Sequence, residues 1–355
     1  MANKLQIGIL GCGAVAYRWY FNGLKGSKTN YAIKAVCDID LEKARIAATD
    51  YAVPYFCDSL DDLIKQDLDL IVVLTRHQDH YQHIKTCLSA GINVYSEKPF
   101  ADNAANGLEL LHMAKERNLM LGCAPQIMLS SRNKTVKQLL ENNLLGKVTF
   151  VRASCSNLGP AGRADTDYDP AWFYNEGGSM ASLGIYGLSA LLWLLGKPKS
   201  VAAIESIAMP ERIVMFGPAK GNKITVTAPD NVACLFDFGN GTLATFDGSY
   251  SVATPPKYDF EIHGEKGSLL VGGFGGPSSV IFKPLNGQPQ ELGPDDDCHL
   301  RWTLAWGVEE TIAAIIERRS TATSAEFALD IIHVMEKIKE SSAQRKIVPI
   351  DNHLS

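Results

Sequence analysis

Up to about residue 124 the chain alternates short apolar runs with stretches of helical periodicity, and this alternation narrows the possible architectures to a parallel sheet wound on both faces. The runs are Gln6–Leu10, Ile33–Cys37, Leu70–Leu74, Asn93–Ser96 and Met120–Gly122. They are largely apolar along their length, as expected where helices cover both sides of a sheet. Between them the spacing predicts helices, with Asp40, Asp79 and Asp102 as N-caps, a Ser59/Asp62 pair resembling a capping box, and Gly91 closing a helix. Ser131–Asn142 reads as a connecting helix.

At 355 residues the chain exceeds one ordinary hydrophobic core, so two domains are expected, 1–124 and 125–355. From Val148 onward the texture changes to period-two strands and glycine turns. "NVACLFDFGNGTLATFDGSYS" is a hairpin signal around Gly239, Asn240 and Gly241, and "YDFEIHGEKGSLLVGG" is another around Gly264 to Gly267. These strands predict a large, mostly antiparallel open sheet, making the second domain α+β and the whole chain α/β in class. Helices at Gly184–Leu195, Thr303–Arg318 and Ser324–Ser341 are expected to cover one face of it. A second subunit is the expected cover for the other face, in a homodimer or homotetramer.

A net charge of −5 offers no basic field for nucleic acid or an anionic membrane, which points to small-molecule chemistry. No apolar run approaches the ~20 residues of a membrane span. "MANKLQIGILGCG" runs straight into a strand and a glycine turn without the layout of a secretory signal, so the cytoplasm is the expected compartment. Eight cysteines (12, 37, 57, 87, 123, 155, 234 and 298) are scattered without CxxC spacing and read as small buried side chains. "PDDDCH", with Asp295 to His299, reads as a solvated acidic loop, and no metal is assigned. Trp302 and Trp306, one helical turn apart, read as core or interface.

"GILGCGAVA" sets Gly11, Gly13 and Ala16 as G-x-G-x-x-A directly after the first strand and at the opening of a helix. Glycines there let the backbone turn tightly and approach a pyrophosphate, whose charge the helix N-terminus stabilises; Ala14 and Val15 complete the turn. Asp38 ends the second strand, where an acid accepts hydrogen bonds from a ribose diol and repels a 2′-phosphate. NAD is therefore expected over NADP, with Lys34 and Lys43 the cations that could still admit a phosphate.

"GINVYSEKPF" ends a strand at Ser96 and then presents Glu97, Lys98 and Pro99. The C-terminal strand ends of a parallel sheet open onto the ligand crevice, so this loop faces the cofactor. Pro99 fixes its own φ and keeps Lys98 out of helical geometry, giving the ammonium one direction.

Taken together, G-x-G-x-x-A, an acidic strand end, "EKP", and "EGGSMASLGIYGLS" entering a helix make the chain similar to the Gfo/Idh/MocA oxidoreductases over nearly its whole length. "SAGINVYSEKPFADNAANGLELLHMAKERNLMLGCAPQ", "LLENNLLGKVTFVRA" and "EIHGEKGSLLV" follow the same rhythm. The resemblance implies a Rossmann domain followed by an open-sheet α/β domain, oxidation or reduction of a sugar, polyol or related hydroxy compound with NAD(P), and oligomers formed through the open sheet. It places Lys98 on the EKP lysine. It also lays "LTRHQDH" on a T-P-x-x-x-H loop, so that Thr75, Arg76, His77 and His80 lie beside the cofactor with Arg76 in the proline's place. Gln126 in "CAPQ" falls near the nicotinamide. The second signature, G-G-G-x-x-x-D-x-G-x-H-x-x-D, meets Ser182, Tyr186 and Ser189 where the pattern has Asp, His and Asp; catalytic branches of the family carry the tyrosine.

On spacing alone Leu183, Tyr186, Ala190 and Trp193 form one helical stripe, as a core aromatic would. The expected helix start nevertheless puts Tyr186 in the first turn, where a phenolate is favoured. A phenol of pKa near ~10 needs a downward shift of a few units to accept an alcohol proton at neutral pH. A lysine ammonium at ~4 Å, with an effective dielectric of ~20, supplies about 4 kcal/mol toward it. Lys98 and Tyr186 are the expected acid/base pair. Arg163, Trp172 and Ser182 are further substrate candidates, and Tyr174 either joins Trp172 as an aromatic floor or packs under a loop. Two other functions fit the same fold: a non-catalytic ligand sensor, which has no need of Lys98, and a redox-assisted glycosidase or lyase that retains its NAD.

Overall fold

The computed structural model describes residues 4–27, 29–272, 279–293 and 303–351. Cys298, the Asp295–His299 stretch and Trp302 lie outside them. The chain divides into two compact units, Met1–Leu129 with Thr303–Ile332, and Ser130–Trp302 with His333–Ser355. This differs from a division at residue 124: the first unit runs five residues further and takes back a segment from near the end of the chain.

The first unit holds a six-stranded sheet of β1 (Leu5–Leu10), β2 (Tyr31–Cys37), β3 (Tyr55–Cys57), β4 (Leu70–Val73), β5 (Asn93–Ser96) and β6 (Leu121–Cys123) in the order β3-β2-β1-β4-β5-β6. Every pairing is parallel. The order reverses at β1, which makes the ends of β1 and β4 the topological switch point where α/β folds open a crevice. Its helices are α1 (Asn22–Lys25), α2 (Leu41–Asp50), α3 (Leu60–Leu63), α4 (His77–Ser89) and α5 (Ala104–Glu116), and a π-helical segment, Ala16–Phe21, precedes α1.

Local chemistry accounts for most helix starts. Asp40 caps α2 by accepting from the Glu42 amide, and Ser59 caps α3 by accepting from the Asp62 amide while its hydroxyl donates to the Asp62 carboxylate. Two expected caps move. Asn103, rather than Asp102, caps α5, and Asp102 instead accepts from the Asn106 side chain. α4 starts two residues ahead of Asp79, with Arg76 at the cap and no side chain bonded there.

The segment after Thr303 corrects a larger expectation. α8 (Ala305–Glu317) packs against β5 and β6 of the parallel sheet rather than covering the antiparallel one. Two glycines make the notch: a side chain at Gly122 would collide with Thr311, and one at Gly307 with Tyr95. The Cys123 amide donates to the Thr323 carbonyl at 2.8 Å. α9 (Ala325–Gln344) belongs to the first unit through Ile332, where Ala325, Ala328, Leu329 and Ile332 complete the core beneath β4 and β5.

The second unit starts with α6 (Ser131–Glu141) and is built on nine strands: β7 (Val148–Ser154), β8 (Ser200–Ser206), β11 (Asn231–Asp237), β12 (Leu243–Ser249), β13 (Tyr258–Gly264), β14 (Gly267–Gly272), β15 (Val280–Pro284), β16 (Gln290–Glu291) and β17 (Val348–Pro349). β7 pairs parallel with β12, and the other neighbours are antiparallel. Positive φ at Gly239, Asn240 and Gly241 turns β11 into β12. α7 (Ile185–Leu195) lies against β7 and β12 on the inward face, where Val151, Phe236 and Phe246 are buried, while Ile204, Leu235 and Leu243 stand exposed on the other face.

A separate two-stranded ribbon, β9 (Glu211–Ile213) with β10 (Lys223–Thr225), is fastened by a buried ion pair. The Arg212 guanidinium donates to Asp230 at 2.6 Å and to the Ser251 hydroxyl at 2.8 Å, and lies over the Tyr174 ring.

Candidate active site

Gly11 leaves β1 at φ +102°, its amide donating to the Cys37 carbonyl at 2.7 Å, and a Cβ there would lie 2.8 Å from the Leu74 carbonyl group. Only glycine fits such an approach. At Gly13 the position of a Cβ is open, with nothing within 4 Å. Gly13, Ala14 and Val15 are exposed and Ala16 is buried. The cradle therefore has a closed inner side and a vacant outer one, as a bound pyrophosphate needs. Asp38 accepts from the Cys12 amide at 2.8 Å with one oxygen and from the Asp40 amide at 3.0 Å with the other. The acid and the glycine turn are thus one rigid piece. Burial, and then Asp38, push the Cys12 thiol up to about 12, so Cys12 is a small filler. Lys43 pairs with Asp40, and Lys34 reaches Asp67.

Arg76 sits extended at φ −71°, the angle a proline imposes, so the loop keeps its course with arginine there; the side chain is exposed. Thr75 contacts the His83 ring at 3.0 Å through its hydroxyl. His77 opens α4, half-buried. His80 does not present a ring nitrogen to a ligand: it is 1% exposed, with Nδ1 2.7 Å from the Pro99 carbonyl and Nε2 3.0 Å from the Thr75 carbonyl. Burial lowers its pKa from 6.5, against the raising effect of the two carbonyls, Glu97 and Asp79.

Lys98 follows β5 and is half-buried. Glu97 turns inward: one carboxylate oxygen accepts from the Tyr20 hydroxyl at 2.6 Å and the other from the Lys98 amide at 3.1 Å. The peptide bonds Lys98–Pro99 and Ala124–Pro125 are cis. Gln126 is fully buried; its Nε2 donates to the Thr303 carbonyl at 3.3 Å, and its Oε1 has no partner. An unpaired buried carbonyl oxygen next to the strand ends suits an amide donor on a ligand. With the open side of Gly13 and the fixed Asp38, it makes this donor set fit a nicotinamide dinucleotide.

In the second unit, helical geometry begins at Ser179 and passes through a π-helical segment, Met180–Gly184, before α7. Tyr186 is therefore about two turns in and not at the positive end, because the residues from Ser179 to Gly184 continue the helix backwards. It is half-buried. Burial pushes the Tyr250 phenol up, and the Ser182 hydroxyl works against it. Ser189 is fully buried and donates to the Ile185 carbonyl at 2.5 Å, so it belongs to the helix interior. Tyr174 is core, its hydroxyl accepting from the Ala161 amide at 3.0 Å, whereas Trp172 is half-buried against Phe173. Arg163 has two guanidinium nitrogens on Asp165, at 2.9 and 2.5 Å.

Tyr20 escaped the sequence reading. In "AYRWYF" it is one aromatic among several, and only the buried carboxylate it meets marks it out.

The parallel sheet, the glycine cradle and the pinned acid define a dinucleotide-binding oxidoreductase. Residues 5–124 match the oxidoreductase family with NAD-binding Rossmann fold, and residues 133–270 match the GFO/IDH/MocA C-terminal domain. The chain belongs to the Gfo/Idh/MocA family of NAD-binding oxidoreductases. It is 23% identical to scyllo-inositol 2-dehydrogenase (NADP(+)) of Bacillus subtilis over 99% of this chain and 97% of that one. Identity to mouse (Mus musculus) trans-1,2-dihydrobenzene-1,2-diol dehydrogenase is 26%, covering 82% and 80%. A levoglucosan dehydrogenase solved with NADH and L-sorbose shares the fold at a TM-score of 0.83, with 17% identity and coverage of 99% and 100%. Among the described residues no helix is long and apolar enough to cross a membrane, and no group of three His, Cys, Asp or Glu could hold a metal ion.

Two outcomes follow from this geometry. Gly13→Ala keeps wild-type thermal stability but weakens NAD binding at least about tenfold by fluorescence titration, because the new methyl enters the vacant side. Gly11→Ala destabilises the fold through strain and collision by about 2 kcal/mol or more, read as a lower melting temperature. The second outcome concerns pH. Burial lowers the pKa of His80 and His83 in the folded state, so below 6.5 the unfolded chain takes up protons that the folded one refuses. Their stabilisation is complete above 6.5 and is lost on acidification, each at up to about 1.4 kcal/mol per pH unit. Thermal midpoints measured from pH 7.5 to 5.5 fall less steeply in His83→Gln than in the wild type; equal slopes would refute it.

Proposed function

We propose that the protein is an NAD-dependent dehydrogenase that oxidises a CH–OH carbon of a sugar, polyol or related hydroxy compound, or reduces the corresponding carbonyl, with Lys98 and Tyr186 moving the hydroxyl proton. The observation that carries the reading is the sharing of one sheet edge by the glycine cradle after β1 and by Lys98 after β5. A regulator with no chemistry to perform has no use for an ammonium at that edge. The names of the relatives agree: inositol, a dihydrodiol and levoglucosan are all hydroxylated rings.

Gly11 to Ala16, Asp38 and Gln126 would hold the cofactor, whose nicotinamide supplies the hydride acceptor or donor. Asp38 favours NAD, since its two amide bonds keep the carboxylate from swinging away from a 2′-phosphate. Lys98 orients the substrate hydroxyl and stabilises negative charge on its oxygen. Tyr186 takes the proton in oxidation and returns it in reduction, where a neutral phenol needs no shift. Set two turns inside its helix, Tyr186 gains little from the helix dipole, so its activation falls to the lysine. Half-buried Trp172 would pack on the substrate. Arg163, engaged with Asp165, gives no reason to favour an anionic substrate.

Absorbance of NADH across a panel of inositols, sugars, diols and anhydrosugars, with product analysis, tests the reading. Net NADH with at least one of them is expected; product without net NADH favours the redox-assisted lyase or glycosidase, and neither favours the sensor. Lys98→Met and Tyr186→Phe should each lower kcat by about 100-fold or more with NAD still bound. Full turnover in either variant removes that residue's role. The exposed apolar residues Ile204, Leu235 and Leu243 support assembly through the open sheet. Sedimentation should give a dimer or tetramer, dissociated by Leu235→Lys, and a wild-type monomer at micromolar concentration would exclude it.

A further inference from the structure

We propose that Tyr20 and His80 are positioning residues that brace the backbone of Lys98 from its two sides. The proposal rests on the catalytic reading of Lys98. A lysine stem has many rotamers, so where its ammonium comes to rest depends first on how firmly its backbone is held.

On the N-terminal side, Glu97 is 8% exposed and spends both carboxylate oxygens inside the protein, accepting from the Lys98 amide at 3.1 Å and from the Tyr20 hydroxyl at 2.6 Å. Tyr20 is fully buried in the π-helical segment that follows the glycine cradle. On the C-terminal side, the Pro99 carbonyl meets Nδ1 of His80 at 2.7 Å, and Nε2 of the same ring meets the Thr75 carbonyl at 3.0 Å. A neutral imidazole has one N–H and donates to one of these carbonyls, whereas an imidazolium donates to both. In either form the ring fills the space between two loops that leave adjacent strands. The helix after the cradle, the Thr75 loop and the lysine loop are thereby joined through polar groups that water does not reach. Three side chains, Glu97, Tyr20 and His80, make these joins, and Thr75, Lys98 and Pro99 enter them through backbone groups. Their combined effect is to hold the two peptide units that flank the Lys98–Pro99 bond.

Misplacing a reacting group by about 1 Å can lower a rate about 100-fold. Tyr20→Phe removes only the hydroxyl, His80→Phe removes both ring nitrogens while keeping a ring, and His80→Gln retains one donor. The full-length protein saturated with NAD is treated with trinitrobenzenesulfonate, and labelling of each lysine is followed by peptide mass. Lys98 should react several-fold faster in Tyr20→Phe and His80→Phe, less so in His80→Gln, with Lys34 and Lys43 unchanged. With the hydroxy compound that gives turnover, kcat should fall about 10- to 100-fold in the first two variants, while KM and the NAD dissociation constant change by less than about twofold.

Wild-type labelling rates at Lys98, or equal acceleration at every lysine, would overturn the brace. So would a freely exchanging Lys98 amide in the wild-type protein, a measurement that needs no variant to fold. Full turnover in Lys98→Met would instead remove the catalytic reading, and the labelling comparison would still decide the brace.

Discussion

At Gly11 the chain passes so close to the peptide of Leu74 that no side chain can stand there, and the site in the first unit depends on that approach. The same residue's amide is tied to Cys37 at the end of β2. One glycine therefore locks the ends of three neighbouring strands, β2, β1 and β4, where the strand order reverses. The acid after β2 and the loop after β4 are held relative to the cradle by this contact and by the Asp38 bond to the Cys12 amide. A looser turn would leave each group on its own flexible loop, and a pyrophosphate would have to order them on binding. Here the ordering is done by folding.

The features legible in the sequence are those whose cause is local. Buried parallel strands show as apolar runs, hairpins as glycine clusters, and the Ser59 cap as a side chain three residues from its partner. β3 is not legible where β6, equally short, is, because only Cys57 of β3 is buried while all of β6 is. The expected cap at Asp102 moves because Asp and Asn compete for the same amides within one turn and Asn103 wins, whereas α4 starts at His77 with no side-chain cap to announce it. The largest misreading, the side on which α8 packs, has a different origin. An amphipathic helix declares that it will be buried but not against what; the partner is chosen by notches at Gly122 and Gly307, which are distant in sequence and recognisable only as a pair.

The candidate site divides in the same way. The cradle, Asp38 and Lys98 could be named because each is a motif with a fixed place at a strand end. Burial then redistributed the remaining roles. His80 and Glu97 face inward, Ser189 bonds its own helix, and Tyr174 serves the ribbon's ion pair. Polar residues in a motif look alike in sequence whether they face a ligand or a backbone carbonyl. What separates them is the demand that every buried polar group find a partner, which is a property of the folded chain.

That demand also holds the acid after β2 in one position. A surface carboxylate opposes a phosphate only weakly, because it can rotate and water screens it. Asp38 can do neither freely: turning away would strip the Cys12 and Asp40 amides of their acceptor. The two cations nearest in sequence pair at the surface, Lys43 with Asp40 and Lys34 with Asp67. Lys34 donates to the Asp67 carbonyl in the turn that leads into β4, at the opposite end of the sheet from the strand ends that carry the cradle. The place of Asp38 beside the cradle is thus set by the backbone donors that immobilise it, and the Cys12 amide is among them because Gly11 forces the turn that brings it there.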